Sequence, residues 1–323
     1  VFFGLIVTIL NLFRVDKFGE SEFWLSLIKV TALVAFSVVA LLICLGLIGG
    51  DGYIGTRILL GSGGFAPNGY SAIALTMVII LVNFQGTEII GLAAGETADP
   101  ARSIPTAVRN VTWRIIALYI VPITLLISIL PWDHASLEES VFAAALAEHG
   151  FTELAALFSL VVLTAAISCS NSGLYGAART VHALATMGMA PRMLEGLSKQ
   201  GVPSRAIYAS IIFCWGVIGI YAMNPDGALY TYLLALSGFS GAVAWISICW
   251  SQYRRRRKLE AEDAVSLLRY RMPLFPYVTL FGIWAQVFCL IFMIFVPELR
   301  MALYFGVPVL VVPMILYRFL RHR

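Results

Sequence analysis

The chain has 323 residues, of which 60% are hydrophobic and only 12% are charged, and its mean hydropathy is +0.88. So little polar surface cannot cover a water-soluble globule of this size, which excludes a soluble protein and indicates an integral membrane protein. The net charge of +4 is uninformative as a total, because the distribution of the charges decides how a membrane protein is oriented.

Runs of apolar residues divide the chain. They are about 20 residues long, the length at which a helix crosses roughly 30 Å of hydrocarbon, and they do not alternate as membrane barrel strands do. The sequence therefore predicts an all-α polytopic membrane protein with a single transmembrane domain over 1–323. The predicted crossings are 24–49, 71–98, 111–131, 153–178, 205–223, 229–250, 274–297 and 301–320, after a shorter apolar piece at 1–13.

The opening residues, 1–13, contain no initiator Met, no charged n-region and no small-residue cleavage site, so we do not expect them to be a signal peptide. We expect a fragment that starts inside a helix. The five cysteines all fall in predicted crossings without the spacing of metal ligands, so we expect packing residues there and no cofactor.

Lys29 lies inside a predicted crossing, whereas Arg114, Arg205 and Arg318 lie within the first or last four residues of theirs. Lys29 lies six residues beyond Phe23, which is roughly 9 Å along a helix. A lysine so near the interface could extend its ammonium group to the polar surface. If it instead faces the helix bundle, it must be paired or have a shifted pKa, and it could then exchange a proton during transport. The sequence alone leaves both interpretations open.

The segment NFQGTE at 83–88 interrupts an apolar crossing about halfway. Gly86 permits backbone conformations that a helix does not, and an unwound turn at membrane depth persists only where it lines a cavity or is covered by protein. Its freed peptide groups would bind a small zwitterion. The alternative is a continuous helix with a tolerated glycine and a paired carboxylate. Further on, Glu96 is either a solvated acid at a helix end or a gate residue. The predicted substrate-binding residues are Asn83, Phe84, Gln85, Gly86, Thr87 and Glu88.

Small oxygen-bearing side chains cluster in a later crossing, within TAAISCSNSGLYGAART at 164–180. Ser168, Asn171 and Ser172 share one helix face by their spacing. Ser168, Ser170 and Asn171 are therefore candidates for close helix packing, for interhelical hydrogen bonds or for a sodium site.

The basic residues predict the orientation. No Lys or Arg occurs between 115 and 178, and all but three of the 22 basic residues fall on one side of the predicted crossings. The exceptions are Arg57, Arg300 and Lys29. By the positive-inside rule the rich side and the C-terminus are cytoplasmic. The run RRRRK at 254–258 fits this signal, so we expect no nucleic-acid partner.

Several segments together resemble bacterial amino acid permeases of the amino acid, polyamine and organocation superfamily. They occur in that family's order across nearly the whole chain. They are FGESEFWLSLIKV (18–30), GSGGFAPNG (61–69), NFQGTEIIGLAAGETADPARSIPTAVRNVTWRI (83–115), SNSGLYGAARTVHALATMGMAPRMLEGLSKQGVPSRA (170–206) and YRMPLFPY (270–277).

This resemblance implies a twelve-helix carrier with an inverted-repeat (5+5) fold, incomplete here because helices 1–3 are missing. It implies that 83–88 is unwound and contacts the substrate, with Phe84 or a neighbour as an aromatic gate. A lysine matching Lys29 stands where sodium-coupled members of the superfamily hold a second sodium, which favours proton coupling. The proton-coupling candidates are Lys29 and Glu88, and the helix with Ser168 would face Lys29.

The expected function is secondary active transport of an amino acid across the bacterial inner (cytoplasmic) membrane, by alternating access and in symport with a proton. Sodium coupling is one alternative. An intramembrane enzyme that uses buried carboxylates is another, but the histidines fall in loops, near the cytoplasmic surface or in the tail, so none joins Glu88 at depth as an acid-base partner. A channel would need a repeated filter sequence or a ring of like charge, and the sequence contains neither. The expected partners are the amino acid, the coupling ion and the lipid bilayer.

Overall fold

The structure is a computed structural model that describes residues 2–12, 15–50, 52–61, 63–64, 66–92, 99–135, 140–199, 201–223, 228–268 and 270–320. The described residues form helices and connecting turns with no strand, as the sequence predicts. They group into two compact units, one of residues 1–67 and 106–218 and the other of residues 68–105 and 219–323. Glu96, for which a gate role was considered, lies outside the described residues.

The helices are numbered here in chain order. Those of the first unit are α1 (Phe2–Leu12), α2 (Val15–Cys44), α3 (Arg57–Gly61), α7 (Val121–Ile129), α8 (Val141–Glu148) and α9 (Thr152–Thr186). Those of the second unit are α4 (Tyr70–Val82), α5 (Ile89–Leu92), α11 (Ala228–Ala261), α12 (Tyr277–Phe292) and α13 (Pro297–Leu320). The helices α6 (Pro100–Ile115) and α10 (Ser204–Met223) contain two of the three points at which the chain passes from one unit to the other, and the third lies between Pro67 and Asn68.

Among the described residues, five helical stretches are long and apolar enough to cross a membrane. They are Gly19–Cys44, Arg102–Ile129, Thr152–Thr186, Ser204–Met223 and Tyr232–Ala261. The apolar stretches of α12 and α13 are shorter than the predicted crossings 274–297 and 301–320. The predicted crossing 71–98 is not one helix, because α4 ends at Val82 and α5 begins only at Ile89.

Several helices extend beyond the predicted apolar runs. The charged end of α11 continues to Ala261, with Arg256 Nε 3.2 Å from Glu260 Oε1 and Lys258 Nζ 3.7 Å from Glu262 Oε1. Pairs at this spacing support a helix in water by a few tenths of a kcal/mol each. Between α6 and α7 a π-helical turn, Ile116–Ile120, leads directly to Pro122. Proline lacks the N–H group that a regular α-helix would use there, which accounts for the widened turn.

The core of the first unit lies where α2, α7, α8 and α9 pack. Phe36 of α2 is buried and meets Phe142 of α8 edge-on, with 4.9 Å between ring centroids, and its ring lies 5.6 Å from that of Phe158 in α9. Edge-to-face pairs of this kind add about 1 kcal/mol beyond the buried area. Ile129 and Leu146 complete the centre of this core.

The second unit has its own smaller core. Phe239 of α11 packs with Cys289 of α12, Met293, and Leu299 of α13, all of them buried. Gly306 of α13 lies against the Phe239 ring so closely that a Cβ atom there would collide with it. The close approach of α13 to α11 therefore depends on that glycine.

Candidate functional site

The interruption at 83–88 is present in the structure as a run of turns between α4 and α5. The α4 helix ends with hydrogen bonds to the carbonyl three residues earlier, from Asn83 N–H to Ile80 O (2.9 Å) and from Phe84 N–H to Leu81 O (3.1 Å). Gly86 follows with φ +105°, a conformation that residues with a Cβ atom rarely adopt. The chain is therefore locally unwound at the place where the sequence predicted a break.

The Glu88 carboxylate accepts hydrogen bonds inside this break. Its two oxygens accept from the Gly86 N–H at 3.1 and 3.0 Å, and Oε2 also accepts from the Trp245 indole N–H of α11 at 3.1 Å. An ionised carboxylate offers about four acceptor positions, so these bonds leave part of its capacity for a further donor. Glu88 therefore holds the turn and can still receive a cationic group or a proton.

Gln85 fixes the break to α11 by a reciprocal pair of hydrogen bonds. Its amide Nε2 donates to the Ser237 backbone O at 2.7 Å, and the Ser237 hydroxyl donates to Gln85 Oε1 at 2.8 Å. The side chain lies over Gly241, where a Cβ atom would overlap the Gln85 amide. The side-chain amide of Gln85 is thus bonded to α11. Only the peptide group of Gln85 is then left to contribute to a ligand site.

The remaining residues of the break differ in exposure. Asn83 and Thr87 are exposed, whereas Phe84 is half-buried and Gly86 partly accessible. The six predicted substrate-binding residues therefore lie together, with side chains that both hold the turn and border its accessible side. Their role in binding stays a prediction.

A second polar cluster lies in the first unit, between α2 and α9. The Lys29 ammonium donates to Ser168 Oγ at 2.8 Å, and the Ser168 hydroxyl donates to Glu22 Oε2 at 2.6 Å. The Asn171 amide donates to Glu22 Oε1 at 2.6 Å. Ser168 and Asn171 both have 0% exposure, so the centre of this network is buried. Lys29 is therefore paired within the unit, which was one of its two predicted environments.

Asn11 of α1 extends the network. Its Nδ2 donates to Asn171 Oδ1 at 2.7 Å and to the Val7 backbone O at 3.0 Å. Three helices, α1, α2 and α9, are thus joined through polar side chains. Ser170 is separate from this cluster: it is exposed, and its hydroxyl donates to the Ala166 backbone O at 2.9 Å. Ser168 and Asn171 thus contact the same Glu22 carboxylate, and Ser170 does not join them.

Sequence reasoning missed Glu22, Asn11, Trp245 and Gly241. One signal was available for Glu22, which precedes Lys29 by seven positions and so shares its helix face. Trp245 and Gly241 had no local signal, because their partners are more than 150 residues away in the chain.

One cavity in the first unit has a different character. It has a volume of about 730 Å³ and lies in the first unit between α1, α9 and α10, with predominantly apolar walls. Its wall hydroxyls, Thr8 and Ser170, donate to carbonyl groups of their own helices. Such a surface does not offer the charged partners that the ends of an amino acid require. Among the described residues, no group of three or more His, Cys, Asp and Glu side chains could hold a metal ion.

Comparison with known proteins gives consistent matches. The family profile described as "Amino acid permease" matches residues 1–323. The chain is 38% identical to the "Gamma-aminobutyric acid permease" of Bacillus subtilis, over 92% of this chain and 63% of that protein. It is 37% identical to the "Amino-acid permease RocC" of the same organism, over 96% of this chain and 66% of that protein. It is 38% identical to the "Lysine-specific permease LysP" of Escherichia coli, over 88% of this chain and 60% of that protein.

The chain thus spans somewhat less than two thirds of the length of these relatives. The match along the whole chain, the all-α architecture and the membrane-length helices lead to one conclusion. This multi-pass membrane protein belongs to the amino acid permease family.

Proposed function

We propose that the chain is part of a secondary active transporter that moves an amino acid across the bacterial cytoplasmic membrane by alternating access. Both compact units belong to one transmembrane domain in this proposal. The family match and the named relatives support an amino acid as the substrate. The scarcity of basic residues between 115 and 178 supports an orientation with the C-terminus in the cytoplasm.

The break at 83–88 is the observation that carries this proposal. Peptide groups freed at a helix interruption can serve both ends of a zwitterion, since N–H groups bind a carboxylate and C=O groups bind an ammonium. Gly86 and Glu88 keep the chain unwound there. In the proposed site Asn83, Gln85, Gly86 and Thr87 contribute mainly peptide groups, and Phe84 closes over the substrate.

We propose proton coupling through Lys29 and Glu88. Lys29 already donates to Ser168, one of the oxygens that a sodium ion at Ser168 and Asn171 would use. A built-in ammonium group at that position favours a proton over sodium as the coupling ion. An intramembrane enzyme has less support, because the contacts of Glu88 within the described residues are with a glycine N–H and an indole, not with an acid-base partner.

The test uses the complete gene product in proteoliposomes. Uptake of labelled lysine, histidine and γ-aminobutyrate is measured with an inward proton gradient, with a sodium gradient and with neither. We expect the proton gradient to drive accumulation of at least one of them, and Lys29→Met and Glu88→Gln to lower it by about tenfold or more, as is typical when a proton-transfer group is lost.

Two variants control for the removal of charge alone. Lys199→Met and Glu195→Gln alter exposed side chains outside the helices, and we expect them to transport like the unsubstituted protein. Accumulation driven by sodium alone would contradict proton coupling. The absence of uptake of all three labelled compounds under every gradient would contradict the expected transport of at least one of them.

A further inference from the structure

The contact between Lys29 and Ser168 is one step of a longer hydrogen-bonded chain. Lys29 Nζ donates to Ser168 Oγ at 2.8 Å, and Ser168 Oγ donates onward to Glu22 Oε2 at 2.6 Å. Both bonds run in the same direction, from the ammonium through the hydroxyl to the carboxylate. A hydroxyl that accepts from one group while it donates to the next can pass a proton between them.

Ser168 departs from the usual behaviour of hydroxyl side chains in this helix. Inside a helix, Ser and Thr ordinarily donate to the carbonyl four residues before them. Ser159, Ser170 and Thr180 of α9 all do so, at 2.9 to 3.1 Å. The Ser168 hydroxyl instead donates to a carboxylate of another helix, although it is fully buried. Ordinary helix packing does not explain that orientation.

The Glu22 carboxylate is held in place by its other oxygen. Asn171 Nδ2 donates to Glu22 Oε1 at 2.6 Å, and Asn171 Oδ1 accepts from Asn11 Nδ2 at 2.7 Å. These neutral amides fix the carboxylate beside Ser168 without adding charge. Glu22 and Lys29 are each half-buried, so the buried hydroxyl connects two groups that are accessible in part.

The positions of Glu22 and Lys29 along α2 give the hydrogen-bonded path a direction. The Cα atoms of Glu22 and Lys29 are seven residues apart, which is about 10 Å along the helix axis, while the two charged groups meet at the same Ser168 hydroxyl. In the proposed orientation α2 runs outward, so Glu22 lies on the cytoplasmic side of Lys29. A proton that passes from Lys29 to Glu22 is therefore transferred to the residue nearer the cytoplasmic end of α2.

We propose that Glu22 is the group to which Lys29 passes its proton, through Ser168, in the transport cycle. This inference rests on the proposed function and deepens it. One Lys29 N–H proton moves to Ser168 Oγ as the Ser168 hydroxyl proton moves to Glu22, so the ammonium and carboxylate become a neutral amine and a carboxylic acid. The acid then releases its proton to cytoplasmic water, and the amine takes the next proton from the outer side.

Other titratable groups lie on α2 itself and on the elements packed against it, and Cys169 directly follows Ser168 in α9. The π-helical turn has Tyr119, and α7 has none. Glu20 precedes Glu22 by two residues and is exposed. Those of α9 are Glu153, Cys169, Tyr175, Arg179 and His182. Glu153 and Arg179 lie about 22 and 16 Å from Ser168 along the α9 axis. Glu22 and Lys29 are thus the charged groups hydrogen-bonded to Ser168.

The experiment separates proton transfer from structural support. Glu22→Gln and Ser168→Ala are placed in the complete gene product and reconstituted in proteoliposomes. The probe is whichever of labelled lysine, histidine or γ-aminobutyrate the unsubstituted protein accumulates. Two quantities are measured: accumulation driven by a proton gradient, and exchange of labelled for unlabelled amino acid at equal pH, which requires no net proton transfer.

We expect both variants to lose accumulation by about tenfold or more while exchange stays within about twofold of the unsubstituted protein. The matched control is Ser159→Ala, which removes a hydroxyl of the same helix that bonds only to its own backbone, and it should keep both activities. Normal accumulation by Glu22→Gln would overturn the inference. Equal loss of accumulation and exchange in both variants would also overturn it, since that pattern indicates structural support.

The outcome for the unsubstituted protein tests the proposed function separately. If it exchanges an amino acid but accumulates it only with sodium, proton coupling is wrong and this inference is wrong with it. If it accumulates with protons and Glu22→Gln does the same, the inference alone is wrong.

Discussion

Gly86 and Glu88 together make the break between α4 and α5. The positive φ of Gly86 turns its N–H group away from a helical partner, and the Glu88 carboxylate two residues later accepts it with both oxygens. A charged acceptor makes a stronger hydrogen bond than a neutral one, so the N–H that the helix leaves unpaired is well satisfied. The break is therefore encoded locally, by a residue that permits it and a residue that stabilises it.

This local encoding predicts a specific effect for Gly86→Ala. The added methyl group meets no atom within 4 Å, so the cost arises from φ +105° alone. We expect about 1–2 kcal/mol of destabilisation, seen as a fall of about 2–4 °C in the unfolding midpoint of the detergent-solubilised protein. We also expect a lower rate of amino acid uptake in proteoliposomes.

Gly91→Ala is the matched control for that change. Gly91 lies in α5, its added methyl group also meets open space, and its φ is not positive. It should leave the midpoint unchanged or raise it slightly, because alanine favours a helix more than glycine does. Equal effects of the two substitutions would contradict the role assigned to the Gly86 backbone.

The sequence allowed the break to be predicted because its cause is local. A glycine and a carboxylate inside an apolar run are visible without knowing any tertiary contact. The pairing of Lys29 with Ser168, by contrast, joins positions 139 residues apart, and periodicity could only place Ser168 and Asn171 on a common face. Glu22 was missed because it lies in a polar stretch two residues before the predicted crossing 24–49.

At the scale of elements, α11 acts as the support for the break. Gln85 and Ser237 exchange two hydrogen bonds, and Gly241 leaves room for the Gln85 side chain. Four residues beyond Gly241, one helical turn, Trp245 bonds to Glu88. Three consecutive turns of α11 thus contact the same short segment.

Ser237→Ala tests this support. It leaves Gln85 Oε1 without its hydroxyl donor, and we expect the free energy of unfolding to fall by about 1–2 kcal/mol. In a double-mutant cycle with Gln85→Ala, the second substitution should cost about 1 kcal/mol less when the first is already present. The measurement is unfolding by denaturant in detergent.

The control is Ser247→Ala on the same helix. Ser247 is exposed and its hydroxyl donates to the Val243 backbone O, so its loss should change stability by less than about 0.5 kcal/mol. Strict additivity of Ser237→Ala and Gln85→Ala would show that the two side chains do not stabilise one another.

The limits of hydropathy are clear at the level of elements. Hydropathy located the apolar runs but not the ends of the helices. It identifies the residues that can lie in the hydrocarbon layer, and a helix can continue beyond that layer. The α9 helix continues eight residues beyond the predicted crossing 153–178, and α11 continues through its arginine run to Ala261. Arg and Lys are good helix formers, so a helix need not end where its apolar run ends.

At the scale of the whole molecule, the uneven distribution of Lys and Arg predicts the topology. Asp133 lies in the stretch without basic residues, and Lys199 lies between crossings where basic residues are frequent. Both side chains are exposed in the first unit, which makes them suitable reporters. The positive-inside rule puts Asp133 outside the cell and Lys199 in the cytoplasm, because basic residues are retained on the cytoplasmic side during insertion.

Accessibility of single cysteines measures this directly. The five native cysteines, all without disulfide partners, are replaced by serine or alanine, and Asp133→Cys and Lys199→Cys are introduced one at a time into the complete gene product. We expect a membrane-impermeant maleimide to label the first variant in intact cells and the second only after permeabilisation. Labelling of Lys199→Cys in intact cells would reverse the topology. It would also reverse the direction of the proton path, since Glu22 would then lie on the outer side of Lys29.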